Sequence, residues 1–241
     1  MNNLQDKIAV VTGAGDGLGK QISLDLAKNG AKVILVSKIE EEIIKGKEEI
    51  ENMGEEADYY MCDVSKVEEV NEVAKKILDK YQKIDILVNN AGVYFAGSFF
   101  EVNNDQAKKM IEVNTLGTIY CTKAFLPSMK ERNEGQVLNV VSVAGIEANG
   151  EYTLYTTSKF AVTGFTEALR QELINTKIKV SAIYPEGIST NIFANSGGRD
   201  YTKEEPNTLM DPKDVSEVAM LILKQPADIN LSRIDIRKKI F

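Results

Sequence analysis

Lys7-Ile8-Ala9-Val10-Val11-Thr12-Gly13-Ala14-Gly15-Asp16-Gly17-Leu18-Gly19 decides the fold. A β-branched apolar run ends at four glycines spaced two apart, and a helical pattern follows. Leu18, Ile22 and Leu26 share one stripe of that helix, and Gly30 ends it. The reading is strand, glycine loop, helix. Such glycines permit a tight turn and close backbone approach, while a helix N-terminus offers free N–H groups and a positive dipole end. The site suits a pyrophosphate, although a glycine turn can also be purely structural. Gly-x-Gly-x-x-Gly is not met, because Leu18 stands where its third glycine belongs. The Walker loop fails at Ala14 and Gln21 when aligned on Gly19-Lys20.

The same unit repeats outward along the chain. Lys32–Val36 reads as a second strand, and the Glu-rich stretch Ile39–Met53 as an exposed helix ended by Gly54. Ala57–Cys62 is a third strand, and Ser65 and Glu68 have capping-box spacing before the next helix. Ile84–Asn89 is a fourth strand. Asp105 to about Glu131 is a long helical pattern that Pro127 should bend or end. Gln136–Ser142 is strand five, Tyr155–Asn175 a helix and Ile178–Tyr184 strand six. Asp211-Pro212 fits N-cap and N1 of a last helix, before a strand at about Ser232–Ile236. Nearly continuous apolar strands alternating with helices predict an α/β fold: one doubly wound parallel sheet covered on both faces. No linker divides residues 1–241, so one domain is expected. In such sheets ligands bind beyond the carboxyl ends of the strands, where the polar and glycine residues fall.

Composition removes several chemistries. The 241 residues include no histidine and two cysteines, Cys62 and Cys121, far apart in sequence. A Ser–His–Asp triad, a histidine base and a histidine-ligated metal are excluded, and no metal is expected. The cysteines read as small buried hydrophobes. A net charge of −7 argues against nucleic acid. No apolar run is long enough for a membrane span and the N-terminus lacks a signal core, so a cytoplasmic protein is expected. Arg237-Lys238-Lys239 is the one compact basic run and reads as a solvated tail.

Acid–base chemistry must then use Tyr, Lys, Asp or Glu. Tyr155 and Lys159 are four apart, hence neighbours on one helix face, and Ser142 ends an apolar run nearby. An unperturbed tyrosine has a pKa of about 10, and an adjacent cation favours its phenolate. Alone, such a pair is a common helical coincidence.

The set as a whole resembles the short-chain dehydrogenases/reductases from Lys7 to about Ile236. The resemblance rests on Thr12–Gly19, Asp63-Val64, Asn89-Asn90-Ala91-Gly92, Val113-Asn114-Thr115-Leu116-Gly117, Val140-Val141-Ser142 and Tyr155-Thr156-Thr157-Ser158-Lys159. It implies a Rossmann-type fold and hydride transfer between a nicotinamide and a small carbonyl or alcohol substrate. Tyr155 would pass the proton, with its pKa lowered by Lys159. Ser142 would hold the substrate oxygen, and Asn114 would anchor a water relay. Gly13, Asp16, Gly17, Leu18, Gly19, Ser37, Lys38, Cys62, Asp63, Val64, Asn90, Ala91, Gly92, Val113, Pro185, Gly187, Ile188 and Thr190 would line the cofactor with Tyr155 and Lys159. Asp63 and Asn90 also have purely structural readings, a turn start and a brace at the sheet end. The resemblance further implies a homodimer or homotetramer.

Two places depart from the family pattern. Pro185-Glu186-Gly187 replaces Pro-Gly, and Glu186 could alter the loop, face solvent or select a cationic substrate; solvent is favoured. Ser37-Lys38 stands where an acid would bind the adenosine ribose of NAD, which resembles NADP-preferring members. Asp16 pulls the other way, leaving NADP(H) favoured over NAD(H). Substrate choice is assigned to Val93–Asn104, Val143–Leu154 and Ile188–Met210, whose Tyr94, Phe95, Phe99, Phe100, Phe193 and Tyr201 suggest an apolar or amphipathic carbonyl compound. The ending Gln225–Asn230 with Arg233–Arg237 resembles the 3-hydroxy-acid dehydrogenase branch, which implies a substrate of the 3-hydroxy-acid or 3-oxoacyl type. Ordinary core packing explains the phenylalanines equally well. A non-catalytic dinucleotide-binding module and an eliminating or epimerising enzyme are the alternatives.

Overall fold

A computed structural model describes residues 4–193, 202 and 206–239. Seven parallel strands form one sheet: β1 (Ile8–Thr12), β2 (Lys32–Ser37), β3 (Ala57–Met61), β4 (Ile86–Asn89), β5 (Gly135–Val140), β6 (Ile178–Pro185) and β7 (Arg233–Ile236). Their order is β3-β2-β1-β4-β5-β6-β7. Successive strands are therefore laid down in one direction from β1 to β3 and in the other from β4 to β7, and Val11 pairs with Leu35 on one side and Val88 on the other. A cleft opens at such a switch point, at the carboxyl ends of the strands.

The helices are α1 (Gly17–Lys28), α2 (Glu40–Asn52), α3 (Val67–Tyr81), α4 (Asn104–Met110), α5 (Thr118–Arg132), α6 (Thr153–Glu172) and α7 (Pro212–Leu223). Strand alternation sorts the core into two layers. Ala9, Val11, Val33, Leu35 and Val88 pack against Leu18, Ile22 and Leu26 of α1, Ile43 and Ile50 of α2, and Val215 and Ala219 of α7. Val10, Ile34, Leu87, Val137 and Val180 face Val73 and Ile77 of α3, Phe125 and Met129 of α5, and Leu169 of α6. Each fully buried aliphatic side chain contributes about 1.5–3 kcal/mol, and the period-two alternation is what divides that gain between both faces.

Four sequence expectations change. Pro127 lies inside α5 without ending it; α4, a π-helical turn at Ile111–Gly117 and α5 run on to Arg132. The Ser65–Glu68 capping box is absent. Asp63 Oδ1 instead accepts from the Ser65 N–H and hydroxyl at 3.0 and 2.6 Å, while Glu69 reaches back to the Asp63 N–H at 2.9 Å. Helix α2 is not simply exposed, since Ile43, Gly46 and Ile50 are buried. Arg237 and Lys238 are not a free tail either. The Arg237 guanidinium donates to both Glu147 oxygens, and Lys238 Nζ to the Leu209 carbonyl. The Lys238 N–H also donates to Glu186 Oε2, so Glu186 lies on the exposed surface against the C-terminal segment.

Candidate active site

The glycine loop is a backbone cradle. Gly13 and Gly17 have φ of 63° and 54°, which L-residues avoid. A Cβ on Gly13 would come 2.8 Å from Ala91 Cα, and one on Gly17 would meet Thr190 Cγ2 at 2.9 Å. Asp16 caps α1 without a side-chain bond to its first turn, leaving those N–H groups for a ligand. The Leu18 side chain goes into the core, so at that position only the backbone faces the loop.

Asn90 fixes this cradle to the sheet. Its Nδ2 donates to the Thr12 and Gly13 carbonyls at 3.0 and 3.1 Å, while the Asn90 and Ala91 N–H groups donate to Thr12 Oγ1. At the end of β2, Ser37 Oγ lies beside Gly15. Burial raises the Asp63 carboxyl, but the two Ser65 donors and the Lys38 and Lys66 charges outweigh it and hold the carboxyl low. The Cys62 thiol is pushed up to about 12, first by burial and then by Glu69 and Asp63, so it is not a nucleophile at neutral pH. Val113 is a core residue, and Val64 packs against Gly117 of the π turn.

That π turn carries Asn114, which is buried. Asn114 Oδ1 accepts from the Val93 N–H at 2.7 Å, and its Nδ2 donates to the Val93 carbonyl and to Ser158 Oγ at 2.9 and 3.0 Å. Its side chain thus ties the loop after β4 to α6, one residue from Lys159. Gly92 is close enough that its Cβ would lie 3.4 Å from Asn114 Oδ1 and 3.9 Å from Lys159 Nζ.

Tyr155 and Lys159 stand on the first turns of α6, with Lys159 Nζ 5.8 Å from the Tyr155 ring centroid and donating to the Val140 carbonyl at 3.1 Å. Ser142 follows β5; its Oγ accepts from the Ala144 N–H and hydrogen-bonds the Tyr155 phenol. Tyr94 stacks edge-on against Tyr155, Phe193 and Tyr152 at centroid distances of 5.0, 5.5 and 6.2 Å. The expected lowering of the Tyr155 pKa by Lys159 does not occur in this arrangement. Burial pushes the phenol up to about 12 against the bond from Ser142, and burial pulls the Lys159 ammonium down to about 8. Both shifts run toward the neutral form because an apolar surround penalises charge of either sign, although Lys159 remains an ammonium below about pH 8.

Pro185 ends β6, and a single bridge between Ile188 and Met210 closes the base of the segment that follows. A Cβ on Gly187 would meet Leu209 at 2.7 Å. Asn191 donates to Asp16 Oδ2 at 2.8 Å, which ties the first residues after β6 to the glycine loop. Of the expected substrate loop, residues 194–201 and 203–205, Tyr201 among them, lie outside the described residues. Phe99 and Phe100 are exposed and stack on each other rather than on Tyr155. Sequence reasoning missed one nearby group, Glu42. Its Oε2 lies 2.7 Å from where a Cβ on Gly15 would stand. In sequence it is one of three consecutive glutamates, with nothing to single it out.

A parallel sheet with a glycine cradle at its switch point and a Ser–Tyr–Lys group beside it defines a dinucleotide-type oxidoreductase architecture. The short chain dehydrogenase family model matches residues 7–200, and the chain belongs to that family of oxidoreductases. It is 37% identical over 238 residues to an uncharacterized oxidoreductase of Staphylococcus saprophyticus, covering 98% of this chain and 99% of that one. Among solved structures it is similar to an alcohol dehydrogenase of Thermococcus sibiricus complexed with 5-hydroxy-NADP (TM-score 0.88, 28% identity, 97% of each chain). It is also similar to the closed form of a serine dehydrogenase complexed with NADP+ (TM-score 0.89, 30% identity, 96% of this chain and 94% of that one).

Proposed function

We propose that residues 1–241 form one catalytic domain that interconverts a ketone or aldehyde and the corresponding alcohol with a nicotinamide dinucleotide, NADP(H) being favoured over NAD(H). The carrying observation is the half-buried Tyr155 phenol, bonded to Ser142 and one turn from a buried Lys159. The cradle of Gly13, Gly17 and Gly19, with Asn90 to Gly92, fits a group that approaches the backbone. Asp63 and Val64 would border the adenine, Lys159 and Tyr155 the nicotinamide ribose, and Ile188 and Thr190 the carboxamide. The nicotinamide, when bound, supplies or accepts the hydride.

Ser142 then holds the substrate oxygen, and Tyr155 donates its proton to that oxygen as negative charge develops. A phenol neutral at pH 7 is suited to this donor role in the reduction direction. Lys159, charged below about pH 8, supports the phenolate left behind. Tyr94, Tyr152 and Phe193 around Tyr155 favour an apolar or aromatic carbonyl substrate. The NADP(H) preference draws support from the absence of an acid at Ser37-Lys38 and from the ligands of the two solved relatives. Asn114 acts by fixing Val93 and Ser158, with a water relay past Lys159 as its further role. Among the described residues no helix is long and apolar enough to cross a membrane, and a cytoplasmic homodimer or homotetramer is the proposed form.

The test assays NADPH oxidation over a panel of β-keto esters, diketones, steroids and sugars, with the Tyr155→Phe variant in parallel. Removing the general acid should reduce kcat by about 10²–10⁴-fold while leaving the cofactor Kd nearly unchanged. Undiminished turnover by Tyr155→Phe would refute the assignment. Cofactor binding without turnover of any panel member would favour a non-catalytic binding module.

A further inference from the structure

We propose that Glu42 sets the balance between the two nicotinamide cofactors: its carboxylate, carried by α2 to the glycine loop, accepts the adenosine ribose 2′-hydroxyl of NAD(H) and opposes the 2′-phosphate of NADP(H). This rests on the dinucleotide-binding reading given above. In doubly wound sheets the adenosine ribose lies at the end of the second strand, where an acidic side chain receives its hydroxyls. Here that strand ends in Ser37, and the acid comes instead from the first turn of the following helix.

Three observations carry this. The first is position. A Cβ on Gly15 would stand 2.7 Å from Glu42 Oε2, 2.8 Å from Glu42 Cβ and 3.5 Å from Ser37 Oγ, so the carboxylate and the strand-end hydroxyl flank the same glycine. The second is the want of a partner. Glu42 is partly buried, yet its carboxylate accepts no hydrogen bond from any described residue, whereas nearby Asp16 accepts from Asn191. That carboxylate is therefore open to accept a ligand hydroxyl in place of water. The third is charge. Glu42 is faced by Asp16 from the glycine loop, by Lys38 from the turn after β2 and by Lys45 from α2 itself, and burial with Asp16 raises its carboxyl against those two lysines. Lys38 is shared, because it also acts on Asp63. A 2′-phosphate entering here therefore meets two carboxylates and a lysine whose charge is already divided, and the Ser37-Lys38 pair overstates the attraction.

The experiment measures Kd by calorimetry for 2′,5′-ADP and 5′-ADP, two fragments that differ in the 2′-phosphate, and for NADPH and NADH. Glu42→Gln keeps the packing on Gly15 and removes the charge. It should tighten 2′,5′-ADP and NADPH by about tenfold, the counterpart of about 1.4 kcal/mol, and leave 5′-ADP and NADH unchanged or weaker. Glu42→Lys should widen the difference further, and both variants should keep the wild-type circular dichroism spectrum. If either folded variant leaves the 2′,5′-ADP to 5′-ADP ratio within twofold of wild type, the inference is overturned. Wild-type protein that binds none of the four ligands overturns the cofactor reading itself, a distinct outcome.

Discussion

The two ends of the cleft are built differently. The glycine-loop end is made of backbone: Gly13 and Gly17 at positive φ, α1 N–H groups without a side-chain cap, and Asn90 bonded to main-chain carbonyls. The Tyr155 end is made of side chains drawn from the turn after β5, from α6, from the loop after β4 and from the residues after β6. A backbone cradle recognises what every dinucleotide shares and tolerates almost no added atom. A side-chain pocket reads what differs between substrates and can change residue by residue.

The sharpest way to break this contrast is Gly19→Ala. Its Cβ would strike the Gly13 carbonyl oxygen and Asn90 Nδ2, both fixed groups. Expected is a loss of cofactor affinity of about a hundredfold or more, together with a lower Tm, since overpacking costs about 1–3 kcal/mol of stability. Near-normal dinucleotide titration and melting would mean that the cradle is not rigid.

Lys159→Met probes the other end. Burial depresses the Lys159 pKa from 10.5 to about 8, so the folded protein binds its proton less tightly than the unfolded chain does. The stability cost of that buried charge is fully present below pH 8 and is relieved as pH rises from about 8 to 10.5. The methionine variant should lose turnover yet be more stable than wild type at pH 7. The upper bound is about 3 kcal/mol, from 1.36 kcal/mol per pKa unit. Thermal melts from pH 7 to 10.5 check the sign: the gain must shrink as pH rises. A gain that grows with pH would contradict the burial argument. By the same titration, kcat/KM for carbonyl reduction should fall above about pH 8.

Tyr94→Leu is the mildest test. Removing the ring that stacks on Tyr155 and Phe193 should raise KM for an apolar ketone about three- to tenfold, since an aromatic pair is worth about 0.5–1.5 kcal/mol beyond its burial. Cofactor Kd should stay within about twofold. An equal effect on both constants would show that the two ends of the cleft are not separable.

Legibility followed locality. Strand β1, its glycine turn and the amphipathic start of α1 are contiguous, and each rests on short-range rules that a single chain displays. Ser142, Tyr155 and Lys159 were visible because helical spacing puts two of them on one face and an apolar strand delivers the third. The asparagine at 114 was visible as a residue, but the π turn that aims it was not. One extra residue per turn leaves no mark on an apolar–polar pattern. The Ser65–Glu68 spacing misled for a similar reason: Asp63 supplied the turn's acceptor instead, and of the two outcomes expected at Pro127 the helix did not take the ending.

The sequence by itself determined the parallel sheet, the cradle and the identities of the reacting groups, because periodicity, turn chemistry and the alternation of strands with helices are local properties. Only the tertiary structure decided the charge environment. It placed Glu42 against Gly15, paired Arg237 with Glu147, and set Tyr155 and Lys159 where desolvation, not their mutual attraction, leads both pKa directions. Electrostatic energy depends on distances through space and on exclusion of water. Neither is written along the chain.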